Sequence, residues 1–514
     1  MSETAGDIDF DKFRLRRFVD ALINLGEVDI HETPIAFADI SKVMEDSPRA
    51  SLFKNAGPER CEIVGAVSGS RARLGAAFGV DPRDVSAEYT RRMDNPQPVV
   101  DVASANAPVH AKIITGDDID LTKLPFHLQH EYDGGAYITS GIDYTVDPAT
   151  GKPNTGCRRL MLRSRTTMQA NLTQPSDLRG IYVACVERGE KLPVSYVCGS
   201  HPLDFIAAGL RLPTDEFGLV ASLRGEPVPM VRGVSNDVPV PADAEMVIEG
   251  YFDELGYREI EGPYGEFNGF YGAPHIDPVF HVTAITQRED ALHQTMLHSG
   301  RHLSRTDSAN LGSINSEVAV RKALNGIHLE ASAVRCLPTT NGRQHVRISI
   351  PRTGPGQARR VISALFAIPY IKHIFVMDDD VDVFSDEDVE WAMATRFHAE
   401  RDMVVEGGFP AFYMEPLPDP GGTVTKAGFD LTEAYGRPDT IDNWIAVAPE
   451  LKPAPRFQTV RQALESGPLF FSQIMEALGS DDGREISMDL HALREEGILD
   501  RLGNGEWILK DTSG

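Results

Sequence analysis

Between residues 259 and 272 the chain reads EIEGPYGEFNGFYG, and this stretch limits what the rest can fold into more than any other. Gly262-Pro263 followed by Gly265 cannot continue a helix, and proline has no N–H to give a central strand, so a tight, irregular loop is expected. It carries two carboxylates, Glu261 and Glu266, and is followed by Phe267, Phe270 and Tyr271, aromatic residues able to pack it in place. Taken alone the stretch also reads as an acidic surface turn, because glutamates are mostly solvated.

At 514 residues the chain has room for about three domains at roughly 100 to 200 residues each. The formal charge of -26 argues against non-specific nucleic-acid binding, which needs Lys and Arg to displace counterions, so an anionic ligand must meet a local basic cluster. Cys61, Cys157, Cys185, Cys198 and Cys336 are scattered without the paired spacing of a zinc site and read as reduced thiols of a cytoplasmic protein. No apolar run approaches the roughly 18 residues of a membrane span, and the start MSETAGDIDFD does not resemble a secretory signal.

The order of patterns gives an α/β and α+β multidomain chain. Residues 1–110 read as an N-terminal α/β domain: a helix over 10–25 closed by Gly26, then an apolar run at 61–67 and a helical pattern at 85–93, up to a polar boundary at 95–108. Residues 111–315 read as an antiparallel sheet or barrel, from short β-branched segments at 113–115, 136–146, 160–162, 181–185, 194–198, 246–250 and 279–287. Residues 316–455 read as a connecting helix over 316–325 and a C-terminal α/β domain with strands at 345–350 and 373–377 and helices at 356–366 and 387–395. The Pro- and Gly-rich stretch 407–455 is expected to wrap over other parts and to form no core.

Residues 456–514 form a small winged-helix-like tail, with helical patterns at 460–465, 471–478 and 488–496 and a hairpin turning at Gly503-Asn504-Gly505. The tail holds six Lys and Arg against eleven Asp and Glu, and its would-be recognition helix carries Asp489, Glu495 and Glu496. Electrostatics therefore oppose DNA, and an oligomer-contact or substrate-lid role is expected.

In DGGAYITSGIDYTVDPATGKPNTGCRRLML, residues 133–162, a hairpin turn on Asp147-Pro148 and Gly151 leads into Asn154, Arg158 and Arg159. Together with EGPYGEFNGFYG this block resembles the UbiD-like decarboxylases, which act reversibly on aromatic or α,β-unsaturated acids with prenylated FMN. NDVPVPADAEMVIEGY at 236–251, MDDDVDVFSDEDVEWAMATR at 377–396 and TKAGFDLT at 425–432 extend the resemblance over residues 10 to 435. It implies a central split β-barrel of flavin-reductase type that binds the cofactor, and a homodimer or higher homo-oligomer assembled through the third domain. It also implies a flavin prenyltransferase as cofactor supplier and a small aromatic carboxylate, heteroaromatic and polycyclic acids included, as substrate.

By the same resemblance Arg159, Glu261 and Glu266 form the catalytic network, acting on a covalent adduct between substrate and prenylated FMN. The chemistry has its own reason. Loss of CO2 from an sp2 carbon leaves a carbanion that no side chain can absorb, so a cofactor must act as electron sink. A carboxylic acid must then protonate that carbon. Arg159, always cationic, can hold Glu261 ionised and leave Glu266 as the acid. Arg158 is the adjacent rival, but strand neighbours face opposite ways and the spacing from Asn154 favours Arg159. The plain alternative is a structural ion pair.

In the family a divalent metal joins protein and cofactor phosphate through an Asn, a His and a Glu. Asn154 and Glu216 match the first and last, but 170–181, ANLTQPSDLRGI, holds no histidine and offers only Gln174 and Pro175 near the matching position. The site is then altered, completed by a carbonyl or water, or replaced; Mn2+ or Mg2+ is the expected cation, with K+ a further candidate. Arg158 and Gln174 join the cofactor-binding candidates. Gly199, Ser200, His201 and Pro202 precede a helical pattern at 203–210 and could turn backbone N–H groups to a phosphate, although Ser before Pro is also ordinary capping. Lys426 matches a family lysine that could meet the phosphate, or is a solvated charge. His298, His302 and Leu303 are candidate substrate contacts, core or solvent-facing histidines being the commoner outcome.

Two other functions compete. A glycoside hydrolase also uses paired carboxylates, usually from separate elements flanking a sugar bond, and this chain has no clustered Trp for sugar stacking. A reductase-type or non-catalytic FMN protein could use the same barrel without needing Arg159, Glu261 and Glu266 together.

Overall fold

The structure, a computed structural model, describes residues 8–210, 212, 215–436 and 440–510. The acidic start at 1–7, where no secretory leader is expected, lies outside them. Residues 1–433 form one compact unit and 434–514 a second.

The centre of the first unit is a closed six-stranded antiparallel barrel: β1 (Tyr137–Val146), β2 (Pro153–Leu162), β3 (Thr167–Ala170), β4 (Leu192–Cys198), β5 (Met246–Phe252) and β6 (Val279–Gln287), in the order β5-β4-β1-β2-β3-β6, with β6 returning to β5. The β1–β2 hairpin forms where expected. The amide of Gly151 donates to the Asp147 carbonyl at 2.8 Å, and Gly151 has φ 72°, a left-handed turn that glycine adopts without steric cost. Leu160, Met168, Val194, Tyr196, Met246, Phe252 and Phe280 fill the barrel interior.

The segment 181–185, expected as a strand, is instead part of the helix Asp177–Arg188. Ser176 caps its start by accepting the Arg179 amide, Gly189 ends it in the left-handed region, and Leu178, Tyr182 and Cys185 recur at helical spacing on its buried face. The β-branched Ile181 and Val183 do not prevent the helix, because packing, not propensity, decides such a segment.

Around the barrel, Val28–His31, Ala50–Ala56 and Cys61–Gly65 form an N-terminal sheet completed by the distant strand His293–Thr295. The polar stretch 95–108 carries the strand Val99–Asp101, which pairs with Val228–Arg232. The connecting helix runs Asp307–Asn325, longer than expected: Thr306 caps it, and its small polar first half, loop-like in sequence, is buried. The last sheet of this unit is ordered Ala333–Cys336, His345–Ile350, His373–Asp378, Thr423–Asp430 and Met403–Pro410. Two of its five strands thus come from or run into the stretch expected only to wrap, a correction with a simple cause: paired backbone there satisfies its polar groups through the sheet despite the glycines.

The second unit contains the helices Val460–Glu465, Phe471–Leu478 and Arg484–Glu495 and the hairpin Leu499–Arg501 with Trp507–Leu509, around Val460, Leu464, Ile474, Ile486, Leu490 and Leu493. Among the described residues all five cysteines are free. No described helix is long and apolar enough to cross a membrane.

Candidate active site

Alternation along β2 sets Leu160 inside the barrel and Met161 outside it, against Tyr137 and Tyr264. Arg159, two residues before Met161, shares the outer face, with its guanidinium 4.4 Å from the Tyr264 ring centroid. The 259–272 stretch is two short hairpin ladders: Glu259–Glu261 pairs with His275–Asp277, and Tyr264–Gly265 with Tyr271–Gly272. The break between them falls at Gly262-Pro263, a cis peptide bond. Gly134 allows the loop to sit against β1: a Cβ there would lie 2.1 Å from the Gly262 carbonyl oxygen. The Gly134 amide donates to the Pro263 carbonyl at 2.8 Å, Asp133 Oδ1 accepts the Gly265 amide at 2.9 Å, and Asn268 Nδ2 donates to the Met414 carbonyl at 2.8 Å.

These supports bring the three expected catalytic residues together. Arg159 Nε and Nη2 donate to the two oxygens of Glu261, each at 2.9 Å, and Nη1 donates to Glu266 Oε1 at 2.6 Å. Burial alone would lower Arg159, but Glu261 and Glu266 outweigh it and hold the guanidinium well above the usual arginine value. The Glu261 side chain is fully buried, whereas that of Glu266 is 16% exposed. Glu266, Arg158, Arg159, Gln174, His275 and His298 line a cleft of about 430 Å³, together with Tyr264, Phe267 and Tyr413. That volume lies in the range of small-molecule sites, roughly 300–1,000 Å³.

Asn154 and Glu216 meet at the far end of β2. Glu216, first residue of the helix Glu216–Arg224, accepts the Thr155 amide at 2.6 Å. Asn154 Nδ2 donates to Asp143 Oδ2 at 3.1 Å, which turns the amide oxygen the other way. Burial raises Asp143 to about 6 and Glu216 to about 7, and Thr155 Oγ1 is buried without a hydrogen-bond partner among the described residues. A set of oxygen donors in which burial disfavours the carboxylate charge fits a hard cation. Arg158 lies 3.2 Å from Asp143 and reaches Ser176 Oγ at 3.3 Å, so it belongs to this cluster and to the cleft wall, not to the Arg159 network.

Other expected contacts fall elsewhere. The Ser200 amide donates to Gln294 at 3.0 Å, a Cβ on Gly199 would meet Glu245, and His201 is buried between Phe13 and Phe18, with burial lowering it to about 3. With Pro202 these residues pack the helix Pro202–Ala208 into the core instead of facing the cleft. Lys426 is fully buried and donates to the Phe366 and Ile368 carbonyls at 2.8 and 2.6 Å, fastening the end of the helix Gln357–Phe366; burial lowers it to about 8. It is neither a solvated charge nor placed to meet a phosphate. His298 lines the cleft but is locked: Nε2 donates to the Thr139 carbonyl at 3.1 Å, Ser308 bonds Nδ1, and burial lowers it to about 4, so it is neutral. His302 is exposed, and Leu303 packs near Gly269 at the tip of the carboxylate loop.

Two site residues escape a reading of the sequence. His275 Nδ1 is 2.6 Å from Asp277 Oδ2, and its Nε2 is 3.2 Å from Glu261 Oε2. The alternation His275-Ile276-Asp277 hints at a strand with both polar groups on one face, but its pairing with Glu259–Glu261 is visible only in the fold.

Two protein-family models match the chain: the 3-octaprenyl-4-hydroxybenzoate carboxy-lyase Rift-related domain over residues 100–302 and the 3-octaprenyl-4-hydroxybenzoate carboxy-lyase C-terminal domain over residues 309–431. Anhydromevalonate phosphate decarboxylase of Methanosarcina mazei is 29% identical over 442 residues, covering 85% of this chain and 99% of that protein. The UbiD-class enzyme HmfF from Pelotomaculum thermopropionicum in complex with FMN superposes with a TM-score of 0.78 at 28% identity, over 84% of this chain and 97% of that one. An evolved dimeric form of HmfF in complex with prFMN gives 0.74 at 28% identity, over 85% and 97%.

Proposed function

Since the chain belongs to the UbiD family of carboxy-lyases, we propose that it removes CO2 from an sp2 carbon of an aromatic or heteroaromatic acid, with prenylated FMN as cofactor and Glu266 as proton donor. The observation that carries this reading is the Arg159 guanidinium bonded to a sealed carboxylate on one side and a cleft-facing carboxylate on the other. When bound, prenylated FMN would supply the electron sink that no side chain provides. Arg158, Gln174 and Ser176 on the cleft wall would hold it, with Asn154 and Glu216 taking Mn2+ or Mg2+ at its phosphate. Glu261, shut off from the cleft, fixes the arginine, and Arg159 Nη1 aims Glu266. Glu266 then holds a proton at a carboxyl oxygen and delivers it to the carbon that lost CO2.

Tyr264, Phe267 and Tyr413 on the cleft wall favour a flat ring as substrate. A second reading comes from the M. mazei relative, whose name specifies anhydromevalonate phosphate; a phosphorylated acid is the competing class, with Arg158 on the same wall to meet its phosphate. Protein co-expressed with a flavin prenyltransferase should carry a modified-flavin absorbance and release CO2 from a panel of aromatic and heteroaromatic acids, and Glu216→Ala should retain less flavin per chain. No bound modified flavin, with or without the prenyltransferase, would overturn the cofactor assignment. CO2 release from anhydromevalonate phosphate alone would move the substrate to the second class.

For assembly, we read residues 316–455 as the surface of a homodimer or larger homo-oligomer and the acidic tail as a docking or lid segment. Deleting residues 456–514 should change assembly or stability and leave the Arg159, Glu261 and Glu266 chemistry intact. Binding of duplex DNA by the intact protein at low salt, weakening steeply as salt is added, would contradict this role.

A further inference from the structure

Behind the Arg159–Glu261 pair stands a histidine that the proposed reaction leaves without a task. His275 lies opposite Glu261 in the strand pairing, and Asp277 lies two residues on, on the same face. Asp277 is buried and fixed: Oδ1 accepts the Leu172 amide at 2.8 Å and the Thr173 hydroxyl at 3.3 Å, while Oδ2 lies 2.6 Å from His275 Nδ1. A carboxylate oxygen can only accept, so this contact keeps a proton on Nδ1 and leaves Nε2 as the nitrogen whose state varies.

Nε2 stands 3.2 Å from Glu261 Oε2 and 3.5 Å from Arg159 Nη2, and Nη2 donates to that same Oε2 at 2.9 Å. With a proton on Nε2, the imidazolium and the guanidinium both donate to Glu261 and hold it from two sides. Without that proton the Nε2 lone pair faces a carboxylate oxygen, and the Arg159 Nη2 hydrogen has two acceptors competing for it.

We propose that His275 is a positioning residue for the reaction: its imidazolium locks the Arg159 fork on Glu261, so that Nη1 stays on Glu266, and loss of the Nε2 proton releases the fork. The proposal rests on the roles given above to Arg159, Glu261 and Glu266. The groups facing His275 are Asp277 on its own strand, Glu261 on the paired strand, Arg159 from β2 and the Thr173 hydroxyl at 2.9 Å from Nδ1. Arg158, Glu266 and the neutral His298 share the cleft wall. The hydrogen bond to Asp277 raises His275 above the ordinary histidine value, against burial and Arg159, and so the fork is released on the alkaline side of that value.

Two measurements test this on the full-length protein. In protein carrying 13C-labelled histidine, the His275 signal, assigned by its loss in His275→Asn, should titrate above an ordinary histidine. Asp277→Asn should lower its proton affinity by about tenfold or more, and Glu261→Gln should also lower it. In the cofactor-loaded enzyme, Asp277→Asn should move the alkaline limb of the pH profile for CO2 release to lower pH by the same interval. Thr173→Val, which removes only a hydroxyl, provides a milder variant should the buried asparagine unfold the strand, and should shift both readouts together by a smaller amount. A limb that stays in place while the histidine midpoint moves would overturn the proposal, as would a midpoint indifferent to Glu261→Gln. If no acid is decarboxylated, the proposed function fails by itself, and the histidine titration still decides whether His275 is coupled to Glu261.

Discussion

Arg224 and Arg159 each stand between two carboxylates, and the two clusters differ in what closes over them. Arg224 donates to Asp204 at 2.8 and 2.7 Å and to Asp243 at 2.6 Å, and all three side chains are only 3–4% exposed. Phe13 lies over the Arg224 guanidinium at 5.2 Å. Arg159 makes the same fork on Glu261, but its second carboxylate, Glu266, sits on a glycine-bounded hairpin at a cleft wall. Sealing every member keeps the cluster from solvent and fastens elements together. Leaving one carboxylate open to the cleft keeps it within reach of substrate and solvent protons, which acid catalysis needs.

The two clusters should differ most at Glu266. Glu266→Gln keeps the volume and an acceptor for Arg159 but removes the proposed proton donor, so CO2 release and deuterium incorporation into product should fall by about 10²- to 10⁴-fold. The unfolding free energy of that variant in urea should fall by no more than about 1 kcal/mol, because the amide oxygen keeps the Arg159 hydrogen bond and loses only its charge. The opposite signature belongs to Arg224→Met, which leaves two buried aspartates unpaired. It should cost about 3–5 kcal/mol in urea unfolding, while the protein that remains folded keeps its turnover per bound cofactor. Turnover loss without destabilisation at Arg224, or the reverse at Glu266, would erase the distinction.

The smallest expected effect is a pH dependence of stability at His275. Because Asp277 raises His275 in the folded state, its stabilising contribution is fully present below the ordinary histidine value of about 6.5 and is lost as pH rises through the higher folded value. The stability gap between the parent and His275→Asn should therefore be widest in mild acid and narrow toward alkaline pH, as read by urea titrations across that range. A gap that widens with pH would mean that His275 is held neutral.

What the sequence alone determined was carried by signals within a few residues of each other. The turn at Asp147 and Gly151, the alternation that separates Arg159 from Arg158, the Gly-Pro break beside Glu261, and the three helices and hairpin of the tail all follow from local backbone preference and periodicity. The same local reading failed where long-range packing overrode it. The helix Asp177–Arg188 is set by the face it buries, and Lys426 and His201 by the carbonyls and rings that enclose them. The register that puts His275 opposite Glu261, and the folding that joins Arg159 to Glu261 across 102 residues and to Glu266 across 107, were decided only by the tertiary structure. Ion pairs of that span depend on which strands close the barrel and in what register, and a short window of residues holds no record of either.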